Sequence, residues 1–287
     1  MKVIVLPNVG FCFGVKRSID FCRKYQDAKK PLFLLGMLVH NDLVNQSLLK
    51  HGFQMIENQA DLTYQLKHHP NGIYISTAHG LSEKTAKQIK AIGAQLIDTT
   101  CPVVSQNRQK IIRYYQDGYD VIYIGKKHHA EGMAVAEYIH LIENESDINQ
   151  LNIQNHNIVV VNQTTMSEAD FEKIVPLITK KYPYALTDLN ICPYTLLRQQ
   201  KVLDEVKLHH DKYDYWLIIG DVKSNNTHKL FELVKQYTPN CYLINSVLEI
   251  MPLNLNNVDT IYICSGTSTP NLLIEDIKKY LLDKTNG

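Results

Sequence analysis

Short apolar runs recur along the chain, cut off by glycines or small polar turns. Residues 32–36, 121–125 and 216–220 each end in glycine. Uninterrupted apolar runs of this length read as strands buried on both faces. Second strands are expected at residues 53–56, 140–142 and 241–244, and third strands at 73–76, 158–161 and 261–263. The last three break into the polar turns 78–80, 163–165 and 266–269. Ser82 and Ser167, the latter with Asp170 three residues on, are expected helix caps, as is Thr269 ahead of Pro270. Strands alternating with helices predict parallel α/β sheets.

The pattern is a threefold repeat. A fourth strand, 96–100, leads into Cys101, and another, 186–190, leads into Cys192. The third repeat has no fourth strand after it, while the strand 3–6 leads into Cys12 with no repeat before it. The expected architecture is three small parallel-sheet α/β units, 12–100, 101–191 and 192–287. Residues 1–11 would close the third sheet, and the units would form a ring with the three cysteine-bearing strand ends at its centre.

Composition narrows the function classes. Thirty Lys and Arg against 29 Asp and Glu leave a net charge of +1. No electrostatic case exists for nucleic acid or an anionic membrane, so any anion site must be local. The 45% hydrophobic and 21% charged composition is that of a globular chain. The opening apolar run is too short for a signal peptide or a membrane span. A cytoplasmic location is expected, where the six cysteines would be thiols or metal ligands.

Cys12, Cys101 and Cys192 open the three repeats, 89 and 91 residues apart. Each precedes a helix with basic and polar positions: Val15-Lys16-Arg17, Asn107-Arg108-Gln109-Lys110 and Arg198-Gln199-Gln200-Lys201. Ligands of parallel α/β units gather at the carboxyl ends of strands. Three equivalent strand ends are therefore expected to bring three thiolates to one iron–sulfur centre. Three ligands on a four-iron cluster leave one iron open to substrate. No Cys-x-x-Cys pair argues for a zinc ribbon. Cys22, Cys241 and Cys264 share no repeat position and read as structural.

Polar residues stand at matched strand ends beside these cysteines. His40 and His129 each follow their cysteine by 28 residues, and Ser224-Asn225-Asn226 occupies the corresponding region of the third repeat. His79, Thr164 and Ser268 form a second set. Such donors, with N–H groups at helix starts, suit a phosphate-type anion. Neither a phosphate-loop nor a dinucleotide glycine motif is present. Glu131, two residues after His129, is placed to relay protons. His128 is read as outside the site.

These residues resemble the 4-hydroxy-3-methylbut-2-enyl diphosphate reductase family. The resemblance runs over essentially the whole chain. It is carried by Gly10-Phe11-Cys12-x-Gly14-Val15, Val39-His40-Asn41, Ala78-His79-Gly80, Asp98-Thr99-Thr100-Cys101-Pro102, Gln163-Thr164-Thr165, Ile191-Cys192 with Arg198-Gln199, Asn225-Asn226 and Gly266-Thr267-Ser268-Thr269-Pro270. It implies a [4Fe-4S] cluster on Cys12, Cys101 and Cys192. It implies diphosphate binding by His40, His79, His129, Ser224, Asn226 and Ser268, with Asn225 in the same set. Thr164 would lie near the substrate hydroxyl and Glu131 would deliver protons. Reduction of the allylic diphosphate by two electrons and two protons would expel water and yield isopentenyl and dimethylallyl diphosphate. A ferredoxin or flavodoxin would supply the electrons.

Four departures from the family pattern stand out. Ala130 replaces the usual proline between the site histidine and Glu131. Asn225 stands where serine or glycine is common, Val222-Lys223 replaces Lys-Asn, and Tyr194 occupies a position that is commonly alanine. The competing readings are a cofactor-independent racemase with paired cysteines and a non-catalytic iron–sulfur electron carrier.

Overall fold

The computed structural model describes residues 1–285; Asn286 and Gly287, the end of the third expected unit, lie outside the described residues. The chain opens with β1 (Lys2–Val5) and α1 (Phe13–Tyr25). Next come β2 (Leu32–Leu34), α2 (Asp42–Lys50), β3 (Phe53–Met55), α3 (Gln59–His68), β4 (Ile73–Ile75), α4 (Glu83–Ala91) and β5 (Gln95–Ile97). The second repeat holds α5 (Pro102–Gln116), β6 (Asp120–Ile124), α6 (Ala130–Met133), β7 (Ile139–Ile142), α7 (Glu145–Gln150), β8 (Ile158–Asn162), α8 (Glu168–Lys181) and β9 (Leu186–Thr187). The third holds α9 (Pro193–Leu208), β10 (Asp214–Ile219), α10 (Asn225–Lys235), β11 (Cys241–Ile244), β12 (Thr260–Ser265) and α11 (Asn271–Thr285).

Three four-stranded parallel sheets result, ordered β3-β2-β4-β5, β7-β6-β8-β9 and β11-β10-β12-β1. The order is the same in all three once β1 takes the place of β5 and β9. The N-terminal strand pairs with β12, Ile4 opposite Tyr262, rather than within the first repeat.

The central strands are apolar on both faces because both faces are covered. Trp216 and Ile218 turn to one side of the third sheet, against Val202, Val206 and Leu230. Leu217 and Ile219 turn to the other, against Ile274, Ile277 and Leu281. Trp216 stacks on Tyr262 with ring centroids 4.8 Å apart. In the second sheet Ile122 and Ile124 face Phe171 and Ile178, while Val121 and Tyr123 face Ile111 and Val135.

Helix caps follow local chemistry. Ser82 accepts from the Thr85 N–H at 3.2 Å, and Ser167 forms a capping box with Asp170. The cap expected at Thr269 is not formed. Helix α11 starts at Asn271, and the Thr269 hydroxyl instead donates to the Ile219 carbonyl at 2.9 Å. That carbonyl lies at the carboxyl end of β10 and takes the hydroxyl before the helix can.

Among the described residues no helix is long and apolar enough to cross a membrane. By Cα proximity the chain divides into two compact units. One comprises Met1–Lys16, His40–Val44 and the chain from Pro193 onward; the other comprises Arg17–Val39 and Asn45–Cys192.

Candidate active site

The unit built from Arg17–Val39 and Asn45–Cys192 carries Cys101 and Cys192 at equivalent strand ends. Each cysteine immediately precedes a helix whose first residue is proline, Pro102 or Pro193. Proline there costs no hydrogen bond, because the first helical N–H has no partner in the helix. The Cys101 N–H donates to the Ala78 carbonyl at 3.0 Å and the Cys192 N–H to the Thr164 carbonyl at 2.8 Å. Burial pushes the Cys101 thiol up, the N–H groups of Val103 and Val104 pull it down, and the nearby Cys192 and Glu131 push it up again. The second thiol and the carboxylate therefore disfavour the Cys101 thiolate until a cation joins it.

Glu131 sits on the one-turn helix α6, capped by His129. The carboxylate is buried and makes a two-point contact with Thr164. Oε1 accepts from the Thr164 N–H and Oε2 from its hydroxyl, both at 3.0 Å. The Asn107 amide adds a longer contact of 3.4 Å to Oε1 and a bond of 2.8 Å to the Asn162 carbonyl. Burial raises the Glu131 pKa to about 7, against the pull of the Thr164 and Asn107 donors. A carboxyl group so held can give up or take a proton near neutrality.

His129 Nδ1 accepts the Glu131 N–H at 3.2 Å. An accepting Nδ1 makes the ring neutral, with its hydrogen on Nε2. His79 meets His129 edge to face, ring centroids 5.4 Å apart. His128 adopts a left-handed φ of 63° in the turn before α6. Ala130 is the first residue of α6, a position that alanine fills as a helix former where proline would also fit.

The other unit holds Cys12, His40, Ser224, Asn225, Asn226 and Ser268. The Cys12 N–H donates to the Thr267 carbonyl at 3.0 Å, the same bond that Cys101 and Cys192 make in their repeats. Ser268 Oγ donates to the His40 carbonyl at 2.9 Å and lies 3.4 Å from Ser224 Oγ. Ser224 caps α10, and Asn225 and Asn226 are that helix's first two residues. Asn226 Oδ1 accepts from the Thr195 hydroxyl at 3.0 Å, which directs the amide nitrogen away from Thr195. Burial lowers the His40 pKa and Asp221 opposes it. Asp221 also accepts the N–H of Asp42 at 3.0 Å and of Lys223 at 2.8 Å, tying the His40 loop to the start of α10. Lys223, one of the departures, returns to the Asp42 carboxylate at 3.0 Å. Tyr194 is 48% exposed.

The six cysteines fall into two groups. Cys12, Cys101 and Cys192 are half-buried, whereas Cys22, Cys241 and Cys264 are buried. Burial pushes the Cys22 and Cys241 thiols up to about 12 and the Cys264 thiol higher still. Only the first group has the partial exposure and helix-start position that favour a thiolate ligand. That donor set fits an iron–sulfur group. Sequence reasoning missed Tyr123, fully buried beside Glu131, as well as the supporting roles of Asn107 and Asp221. A tyrosine inside an aliphatic strand was the available signal for the first and a polar position in the helix after Cys101 for the second; nothing in the sequence pattern marks Asp221.

The family model described as LytB protein matches residues 3–282. The 4-hydroxy-3-methylbut-2-enyl diphosphate reductase of Bacillus velezensis is 34% identical over 289 residues, covering 98% of this chain and 90% of its own. The Bacillus subtilis protein of the same name is 34% identical over 291 residues, with the same coverage. Among solved structures, the E-1-hydroxy-2-methyl-but-2-enyl-4-diphosphate reductase of Plasmodium falciparum aligns with a TM-score of 0.85 at 29% identity, covering 98% of this chain and 87% of that one. A second structure, titled (E)-4-hydroxy-3-methyl-but-2-enyl diphosphate reductase, the terminal enzyme of the non-mevalonate pathway, aligns at 0.69 and 26% identity, covering 99% of this chain and all of that one. With the three repeated sheets and the sorted cysteines, these matches show that the chain belongs to the LytB family of 4-hydroxy-3-methylbut-2-enyl diphosphate reductases, a family of oxidoreductases.

Proposed function

We propose that this chain converts (E)-4-hydroxy-3-methylbut-2-enyl diphosphate to isopentenyl and dimethylallyl diphosphate, consuming two electrons and two protons and releasing water. Cys12, Cys101 and Cys192 would hold a [4Fe-4S] cluster. When bound, that group supplies the electrons and a Lewis-acidic iron for the departing hydroxyl. A ferredoxin or flavodoxin in the same cytoplasmic compartment would re-reduce it.

The protein's own residues do the rest. His40, His79, His129, Ser224, Asn225, Asn226 and Ser268 bind the diphosphate. A neutral His129 contributes an Nε2–H donor rather than a charge. Glu131 delivers a proton to the leaving oxygen, with the Thr164 hydroxyl as the intermediate contact that it already makes. Burial of Glu131 and its neighbours keeps bulk water from competing for that proton.

The observation that carries this reading is the Glu131–Thr164 pair. A buried carboxyl group with a pKa raised to about 7 is bonded to the residue whose carbonyl accepts the Cys192 N–H. An electron carrier would have no use for such a proton donor, and a paired-cysteine racemase would have no use for the third equivalent cysteine. Anaerobic purification and reconstitution should give a brown, iron-loaded protein that turns over the diphosphate with a strong chemical reductant. Glu131→Gln should keep iron and substrate binding but lose turnover by about 10²–10⁴-fold, the usual contribution of a positioned acid. A protein that stays iron-free, or a fully active Glu131→Gln variant, contradicts the proposal.

A further inference from the structure

Among the polar positions that follow each cysteine, Arg17 and Arg198 have no part in the chemistry above, and Asn107 enters it only through its contact with Glu131. Their contacts repeat. Two residues before each site cysteine stand Gly10, Thr99 and Asn190. The N–H of each is accepted by the side chain of a residue at the end of a third strand. Gly10 donates to Ser265 Oγ at 2.8 Å, Thr99 to Ser76 Oγ at 2.8 Å and Asn190 to Asn162 Oδ1 at 2.6 Å.

A residue from the helix after a different cysteine then braces each of these joints. Arg17, five residues after Cys12, donates to the carbonyls of Thr99 at 3.1 Å and Thr100 at 2.9 Å, just before Cys101. Asn107, six after Cys101, donates to the Asn162 carbonyl at 2.8 Å, and Asn162 grips Asn190 before Cys192. Arg198, six after Cys192, donates to the Ser265 carbonyl at 2.8 Å and the Gly10 carbonyl at 3.0 Å, just before Cys12.

We propose that Arg17, Asn107 and Arg198 are positioning residues for the iron–sulfur group, each fixing the peptide that carries the next cysteine rather than the cysteine of its own helix. The inference rests on the cluster reading above. Its physical basis is the backbone. A thiolate ligand is only as well placed as the peptide before it, and these peptides lie in loops, outside any sheet ladder. At one joint the planar guanidinium of Arg198 holds a carbonyl on each of two nitrogens, a fixed fork that a lysine ammonium lacks, and at another Arg17 Nη1 alone reaches both carbonyls. Gly10 supports the same joint. It has a φ of 80°, and a Cβ there would run into the Asn271 amide.

The assignment makes a directional prediction. Arg17→Met and Arg198→Met proteins are reconstituted anaerobically and exposed to an iron chelator with a thiol-alkylating reagent. Iron release is followed by absorbance, and the order of cysteine labelling by mass spectrometry. Each variant should release iron roughly tenfold faster than wild type, the change expected from losing one charge-assisted hydrogen bond. In Arg17→Met the first cysteine labelled should be Cys101, and in Arg198→Met it should be Cys12. Arg17→Lys and Arg198→Lys should recover only part of the retention. Val206→Ala serves as a destabilised control and should keep wild-type release and labelling order despite a lower melting temperature. Should the buried Arg198 variants fail to fold, the half-buried Arg17 pair decides alone. Wild-type release rates in loaded variants, or first labelling of the cysteine on the mutated helix, overturns the positioning role and leaves the cluster reading intact. A wild-type protein that takes up no iron overturns both.

Discussion

Glu131 shows how one buried side chain sets a pH window. Its folded pKa is raised from 4.5 to about 7 by burial. The folded state therefore binds this proton more tightly than the unfolded chain does. The associated stability is fully present below about 4.5 and is lost as pH rises through about 7, a cost of about 3 kcal/mol at pH 8. Glu131→Gln keeps the size and the Thr164 contacts without the charge. Compared with wild type in the same state of iron loading, the variant should melt higher, and by more at pH 8 than at pH 6. An equal difference at both would mean that Glu131 is already ionised in the folded protein at pH 6, so that burial does not raise its pKa to about 7. Turnover should be flat below about pH 7 and fall about tenfold per unit above it, because the protonated acid is the active form. Thr164→Val removes a hydroxyl that lowers the Glu131 pKa, so its basic limb should move upward. A limb that stays in place would assign it to another group.

At the scale of elements, β1 is an edge strand with two inequivalent sets of N–H groups. Lys2 and Leu6 donate to the Asp259 and Ile263 carbonyls, so even-numbered N–H groups face β12 and odd-numbered ones face away. Ile4→Pro should cost about 3 kcal/mol in a denaturant melt, while Val3→Pro should cost far less, because proline is tolerated where an edge N–H faces solvent. Equal losses would mean that packing, not the ladder, holds β1. The strands were legible in the sequence because two-sided burial makes them continuous apolar runs. Helix α3 was not legible, since only Leu62 among its ten residues is buried and almost no amphipathic period remains. Helix α7 carried a readable signal, Asn144 with Asp147 three residues on, in a segment too short to show a period. In the site, repeat position separated Cys12, Cys101 and Cys192 from the other three. The pocket around Glu131 stayed hidden, because Tyr123 counts as one more apolar strand residue until its neighbours are known.

For the molecule as a whole, the consequential feature is the displaced fourth strand. The first two sheets are completed by the strand at the end of their own repeat, whereas the third is completed by residues from the start of the chain. Its β1–β12 pairing therefore closes over a much longer stretch of chain, the kind of contact whose loop entropy must be met before it stabilises anything. The same segment carries Cys12, and Gly10 within it is gripped by Ser265 and Arg198. Sheet closure and the presentation of Cys12 are thus one event. Removing residues 1–7 should leave β12 with an open edge, whose N–H and C=O groups become a template for another strand. Hydrogen exchange should then show lost protection in β12 but not in β8, whose neighbours β6 and β9 are untouched. A synthetic peptide of residues 1–11 should restore protection in β12 by adding back the missing strand, as extended peptides do at exposed sheet edges. Uniform loss across β8 and β12 would mean instead that the third sheet is not a separate cooperative unit, and that closing the chain on itself stabilises every repeat at once.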